Sequence, residues 1–411
     1  MKHLIIGNGV AGLTAAETIR RMDPESEITL ISDETFLPYC RPMISHLLEG
    51  AVPAEKLPIR GKNVYAQNRI EPVLGARAAA LDVDRRTVTT ADGKTHAYDR
   101  LLLACGADPR QIDAQGRDLK NIFFMRTVQQ VQQMLAVLPE VGHALVLGGG
   151  LVGFKAAYSL LRRGITVTML IRSGYPLSMQ VDETAGQIIQ EVLRANGLTV
   201  RTGASVEAFE GNGRVRMAHL SDGSRVSCDM AVIGKGVFPA HGFVPEDRIH
   251  KDAGILVDDN MQTSVAGVYA AGDIAEHMDI ARQRSWVNAI WPEAVSQGRV
   301  AGMNMAGELA SYRGSLSRNV IRVFDTDVMT AGRVSPRDID ETCRQFSARD
   351  LRRNTYRKLV FKDNILVGFA MINDIEQGGI LTSLIVSRRS VEVVPERLMD
   401  PGFNIGRLMA R

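Results

Sequence analysis

Apolar residues in this chain gather into short runs, each followed by a helical pattern. "HLIIGNGVAG" (His3–Gly12) reads as a buried strand entering a glycine-rich turn, and "LTAAETIRRM" after it repeats apolar positions at helical spacing. A second apolar run, "EITLIS", closes the unit. The same succession returns as "ALVLGGGLVG" (Ala144–Gly153), "FKAAYSLLRRG" and "ITVTMLI". Near-continuous apolar strands joined by helices predict parallel sheets buried on both faces, and the repeat predicts two such units. Further along each copy, stretches rich in alternation flank Asp92-Gly93 and Asp222-Gly223, a dipeptide suited to tight hairpin turns. From Tyr312 onward the pattern changes, and "YRKLVFKDNILVGFAMIND" predicts a hairpin turned at Lys362 to Asn364.

Each repeated turn is a G-x-G-x-x-G, a motif that carries weight only where a strand precedes it and a helix follows. Both copies meet that condition. Gly7 and Gly148 permit the tight turn, Gly9 and Gly150 let the backbone approach a pyrophosphate, and Gly12 and Gly153 allow close helix–strand packing. The helix starts that follow, Val10 and Ala11 in one copy and Leu151 and Val152 in the other, offer free N–H groups and a positive dipole end to phosphates. A carboxylate 26 residues beyond Gly7, Asp33, with Glu34 beside it as second choice, is placed to accept hydrogen bonds from ribose hydroxyls.

Composition narrows the classes. The 411 residues suffice for two or three cores, and 45% hydrophobic with 23% charged residues is ordinary for a globular protein. A formal charge of +3 gives no reason to expect a nucleic-acid surface. The four cysteines, Cys40, Cys105, Cys228 and Cys343, form no C-x-x-C pair, so no metal site is expected and any iron-sulfur centre would sit on another protein. No apolar run of about 18 residues is present and no basic leader precedes the first strand, so a cytoplasmic protein without a membrane span is expected.

The stretches "GNGVAG", "LLLACGADP", "GGGLVG", "AVIGKGVFP" and "TSVAGVYAAGD" (Thr263–Asp273) occur in the order found in flavoproteins with two dinucleotide-binding domains. The chain resembles the pyridine nucleotide-disulfide oxidoreductases and, through Tyr39 to Ser45, "YCRPMIS", their nitrite-, rubredoxin- and ferredoxin-reductase branch. "GFKAA" is similar, less specifically, to the FAD subunits of complexes such as phenylglyoxylate dehydrogenase. The resemblance implies an α/β protein with two Rossmann-like domains, an FAD domain over 1–115 and 241–312 and an NAD(P) domain over 116–240, plus a C-terminal α+β interface domain over 313–411. It implies FAD contacts at Gly7, Gly9, Gly12, Asp33, Arg41, Pro42, Ala104, Cys105, Gly106, Gly272 and Asp273, with Trp291 near the ring edge and a helix starting at Glu293. Cys105 stands where the family usually has Thr.

For the nicotinamide nucleotide, the resemblance implies Gly148, Gly150, Gly153 and Gly234 around the pyrophosphate. Ile171 replaces the expected Glu and Arg172 follows, an arginine able to pair with a 2′-phosphate. Ser173 to Leu193 holds no second basic residue, which favours NAD(H) over NADP(H). Lys155 occupies a position where many relatives carry Glu, and His46 one where some carry Lys. If Lys155 points inward it can stabilise reduced, anionic flavin; if outward it is a surface lysine.

The expected function is an FAD-dependent NAD(P)H oxidoreductase passing electrons to or from a separate iron-sulfur or other redox protein, as the flavin subunit of a larger complex. The C-terminal domain would mediate dimer or partner contacts. The alternative uses Cys40 as the redox thiol of an NADH oxidase or of a coenzyme A disulfide or persulfide reductase. Against it, Cys40 lies only seven residues after Asp33, and Arg41-Pro42 follows where those enzymes carry Gly or Ala. A non-enzymatic FAD-binding subunit is the remaining reading.

Overall fold

The structure is a computed structural model, and it describes residues 1–391, 395–400 and 402–408. Two five-stranded parallel sheets dominate it. In the first, Lys2–Ile6 lies between Glu27–Ser32 and Arg100–Leu103, with Ile70–Leu74 and Val268–Ala270 at the two edges. In the second, His143–Leu147 lies between Thr166–Ile171 and Met230–Ile233, with Thr199–Thr202 and Ile122–Phe124 at the edges. Leu101, Leu102 and Leu103 are fully buried, as are Leu145 and Val146, because helices cover both faces of a parallel sheet.

The repeat read from the sequence is therefore real down to strand order, with one difference. The second sheet takes its fifth strand from residues just before its glycine turn, whereas the first recruits Val268–Ala270 from far along the chain. Both Asp-Gly hairpins form: Thr87–Thr90 pairs antiparallel with Thr95–Ala97, and Met217–Leu220 with Arg225–Ser227.

A third, antiparallel sheet runs in the order Arg318–Val323, Thr326–Gly332, Ile365–Ile372, Thr355–Lys362 and Arg344–Asp350, with the helix Gly378–Ser387 against it. Its hairpin turns at Asp363 and Asn364, both with positive φ, and Lys362 still belongs to the strand. In the tail 397–409, Leu398 and Ile405 are fully buried in this unit's core, while Pro401 and Met409 lie outside the described residues.

The third sheet docks on the second. Tyr356 donates to the Asp182 carboxylate at 2.6 Å and Lys358 pairs with the same group at 3.1 Å, while Ser335 donates to the Ser178 carbonyl at 2.9 Å. The first and second units are joined by the helices Ile44–Glu49 and Leu151–Arg162, where the Ser159 hydroxyl donates to the Ser45 carbonyl at 2.8 Å. One cavity opens where all three units meet.

Candidate functional site

The cavity has a volume of about 910 Å³. Its first wall begins at the turn after Lys2–Ile6, where Gly7, Gly9, Val10 and Ala11 line it. Gly7 has φ +121°, and a Cβ there would lie 2.1 Å from the Ala104 carbonyl oxygen, so only glycine fits the crossing of these two loops. Gly148 repeats the geometry in the second unit, with φ +108° and the Gly234 oxygen 2.3 Å from a built Cβ. Gly12 and Gly153 are not on the cavity wall. Each instead packs its helix onto the turn, 2.0 Å separating a built Cβ from the oxygen of Gly7 or Gly148.

Gly9 and Gly150 face open space. They precede the helices Val10–Met22 and Leu151–Arg162, whose first turns carry neither an acidic residue nor a side-chain cap. Free N–H groups at two such helix starts, each beside a glycine with nothing over it, fit two pyrophosphates. Gly148 and Gly150 themselves stand outside the main cavity, which reaches the second unit through Leu151, Val152, Lys155 and Gly234.

Asp33 and Glu34 both line the cavity but differ in freedom. Glu34 is tied down: Arg41 donates to it at 2.5 Å and the Tyr39 hydroxyl at 2.6 Å. Burial works against the charged form of Arg41, but Tyr39 and Glu34 together more than offset it and raise its pKa, while burial pushes the Tyr39 phenol well above its usual range. Asp33 is more exposed and faces Arg77 at 4.0 Å, which also reaches Asp108 at 3.3 Å. At the far end Asp273, following Gly272, meets Arg126 at 2.9 Å. Gly106 lies 3.3 Å from the same guanidinium, measured from a built Cβ.

Sequence reasoning missed Arg126. It stands immediately before the helix Val128–Val137, whose Thr127 and Gln130 form a capping box. An arginine between a strand and a T-x-x-Q start is a signal that was present.

The two cysteines nearest the cavity differ in their access to it. The stretch Tyr39–Ser45 does wall the cavity, through Tyr39, Arg41, Pro42, Ile44 and Ser45, but Cys40 is not among the lining residues. It starts a short 3-10 turn, with its N–H donating to the Leu57 carbonyl, and burial raises its thiol pKa. A thiolate, the reactive form, is thereby disfavoured. Cys105 lines the cavity, but its thiol is pushed up to about 12 by burial and donates to the Ala240 carbonyl at 3.4 Å.

Trp291 also lines the cavity and is itself the first residue of the helix Trp291–Met305, two positions earlier than expected. Next to it, buried Glu293 pairs with Arg318 at 3.2 Å and accepts from the Tyr312 hydroxyl. Arg318, Asn319, Val320 and Ile321 bring the edge strand of the third sheet onto the cavity rim.

Arg172 does not reach this cavity; it is exposed beyond the buried Ile171. Lys235, from the loop after Met230–Ile233, stands near enough for Arg172 to lower its pKa, beneath the larger effect of burial. Lys235 is thus a base near Arg172 that lies outside Ser173–Leu193.

Comparison with known proteins decides the class. The pyridine nucleotide-disulphide oxidoreductase family model matches residues 1–298, and the rubredoxin NAD+ reductase C-terminal domain matches residues 318–389. The chain belongs to this oxidoreductase family. It is therefore an FAD-dependent enzyme working with a nicotinamide nucleotide. It is 31% identical over 409 residues to the NADH-dependent phenylglyoxylate dehydrogenase subunit epsilon of Aromatoleum evansii, covering 99% of this chain and 96% of that one. It is 29% identical over 384 residues to the nitrite reductase [NAD(P)H] of Bacillus subtilis, covering 93% of this chain but only 47% of that one, so it spans about half of that relative. In fold it superposes with TM-score 0.90 on the reductase–putidaredoxin covalent complex, at 24% identity, covering 100% of this chain and 98% of that one. Among the described residues no helix of this family member is long and apolar enough to cross a membrane.

Proposed function

We propose that this protein is the flavin module of a cytoplasmic electron-transfer system, passing electrons between NAD(H) and a separate iron-sulfur protein or subunit. Flavin, when bound, supplies a carrier that exchanges electrons in pairs with nicotinamide and singly with one-electron partners. The observation that carries the reading is the cavity itself. Both dinucleotide units and the third sheet wall it, and neither Cys40 nor Cys105 is presented there as a reactive thiol.

The chain's own groups divide the work. The glycine turns at Gly7 and Gly148 and the helix starts behind them hold pyrophosphates. Asp33 and Glu34 orient a ribose, Arg41 fixing the second of them. Asp273 accepts from the sugar chain, and Arg126 holds its carboxylate from the opposite wall. Ala104, Cys105, Gly106, Pro42 and Trp291 close the flavin end against water. Val320 is 64% exposed at the same rim, where an outside protein can reach it.

We assign the first unit to residues 1–115 with 241–312, the second to 116–240 and the third to 313–411, the third also serving for dimer or partner contacts. Names of relatives support the partner and the nucleotide: one is an NADH-dependent dehydrogenase subunit, and another structure is a complex with putidaredoxin. The test compares NADH-driven reduction of a rubredoxin or ferredoxin with that of coenzyme A disulfide, polysulfide and dioxygen. Rapid turnover of the iron-sulfur acceptor is expected; thiol-dependent turnover that dominates, and that vanishes in Cys40→Ser, overturns the reading.

A further inference from the structure

Five cations line the cavity, and four are matched. Arg41 is held by Glu34, Arg77 by Asp33 and Asp108, Arg126 by Asp273 and Arg318 by Glu293. Lys155 is the fifth. Its carbonyl accepts from the Ser159 hydroxyl, but among the described residues its ammonium has neither a hydrogen-bond nor an ion-pair partner.

Its position makes this costly. Lys155 shares a helix face with Leu151, one turn from the start of Leu151–Arg162, where the dipole is already positive. Burial lowers its pKa, and the group that opposes this most is the Cys40 thiol, which burial keeps protonated and so uncharged. No carboxylate comes to its aid from the facing helix Ile44–Glu49. Glu49 there is engaged by His46 at 3.4 Å and by Arg162 at 3.4 Å. A cation left unmatched in a walled cavity calls for an anion that the protein does not itself supply.

The seam tells where that anion lies. Pro42, Ile44 and Ser45 of the first unit and Leu151, Val152 and Lys155 of the second line the same stretch of wall. One turn further on, the Ser159–Ser45 hydrogen bond clamps the two helices together. This is where the redox ends of two nucleotides must meet for electrons to pass between units. We propose that Lys155 is the counter-charge for the negative charge that bound flavin acquires on reduction, and that it raises the flavin's reduction potential. The proposal rests on the FAD reading above and deepens it.

The test is anaerobic spectroelectrochemical titration of the flavin in the purified holoprotein and in Lys155→Gln, Lys155→Met, Lys155→Arg and Lys155→Glu, with FAD content and melting temperature measured on each. At a fixed electrode poise, Lys155→Gln and Lys155→Met lower the ratio of reduced to oxidised flavin by about tenfold, as expected for one unit charge in a partly desolvated site. Lys155→Glu lowers it further, and Lys155→Arg stays within about twofold of the wild type. Folded Gln or Met variants with full FAD and an unchanged potential overturn the proposal. So does an unchanged potential accompanied by a raised KM for the nicotinamide nucleotide, which would make Lys155 a nucleotide contact. A wild-type protein that retains no FAD overturns the underlying reading, and is told apart because no flavin spectrum is then seen.

Discussion

Arg126 and Asp273 face each other at 2.9 Å across the cavity, one from the start of Val128–Val137 and the other from the loop that precedes Ala275–Asp279. Both side chains are about four-fifths buried, with 21% and 20% exposed. Truncating Arg126 to Ala leaves a largely buried carboxylate without its cation. Without Arg126 to orient it, Asp273 should lose its charged hydrogen bond to bound FAD, worth on the order of 1–3 kcal/mol, and FAD affinity of the apoprotein should fall by roughly tenfold or more. Fluorescence titration of apoprotein with FAD measures this, and unchanged affinity would remove Arg126 from the site.

Cys40→Ser should leave NADH-driven dye reduction within about twofold of the wild type, since Cys40 is not on the cavity wall. Its raised pKa also sets a chemical signature. A thiol whose pKa lies above the free value has less thiolate at any given pH, so iodoacetamide should modify Cys40 more slowly than free cysteine at pH 8. Mass spectrometry of timed samples would show it. Fast labelling with loss of activity contradicts both statements.

Nucleotide preference is a narrower matter than the sequence suggested. NADH should give the higher kcat/KM, but Arg172 with Lys235 nearby should keep NADPH usable, with a ratio of about tenfold or less. Arg172→Gln should reduce kcat/KM for NADPH several-fold more than for NADH. A wild-type preference for NADPH reverses the NAD(H) assignment.

His3 predicts a pH-dependent stability. It is 2% exposed in the first sheet, both ring nitrogens lack partners among the described residues, and burial lowers its pKa to about 4. The unfolded chain, with a pKa near 6.5, therefore binds the proton first as pH falls. Stability is full above the unfolded value and declines through the window from about 6.5 down to about 4, by an amount on the order of 3 kcal/mol. In His3→Leu the decline in melting temperature between pH 7 and pH 4.5 should be visibly smaller. Equal declines would show that other groups govern acid stability.

What the sequence showed and what it hid follow a physical division. Gly7, Gly148 and the Asp-Gly hairpins were legible because local backbone requirements dictate those residues. Arg126, Arg77 and Lys235 were not, because each acts on a partner brought near only by folding. Glu34 illustrates the middle ground. Its place after the second strand marked it as a ribose acid, but nothing local showed that Arg41 and Tyr39 would hold it. The direction in which Cys40 and Lys155 point, on elements facing each other across the seam, was likewise decided only by packing.

The late arrival of Val268–Ala270 in the first sheet has a consequence for biogenesis. Its neighbour Arg100–Leu103 is finished some 165 residues earlier, while the entire second sheet can close in between. At ordinary rates of synthesis this interval is roughly ten to thirty seconds, during which an apolar strand edge waits uncovered. Asp273 emerges only three residues after that strand, so the strand that seals the exposed edge also brings this carboxylate to the cavity, and the lining from Trp291 and Arg318–Ile321 follows later still.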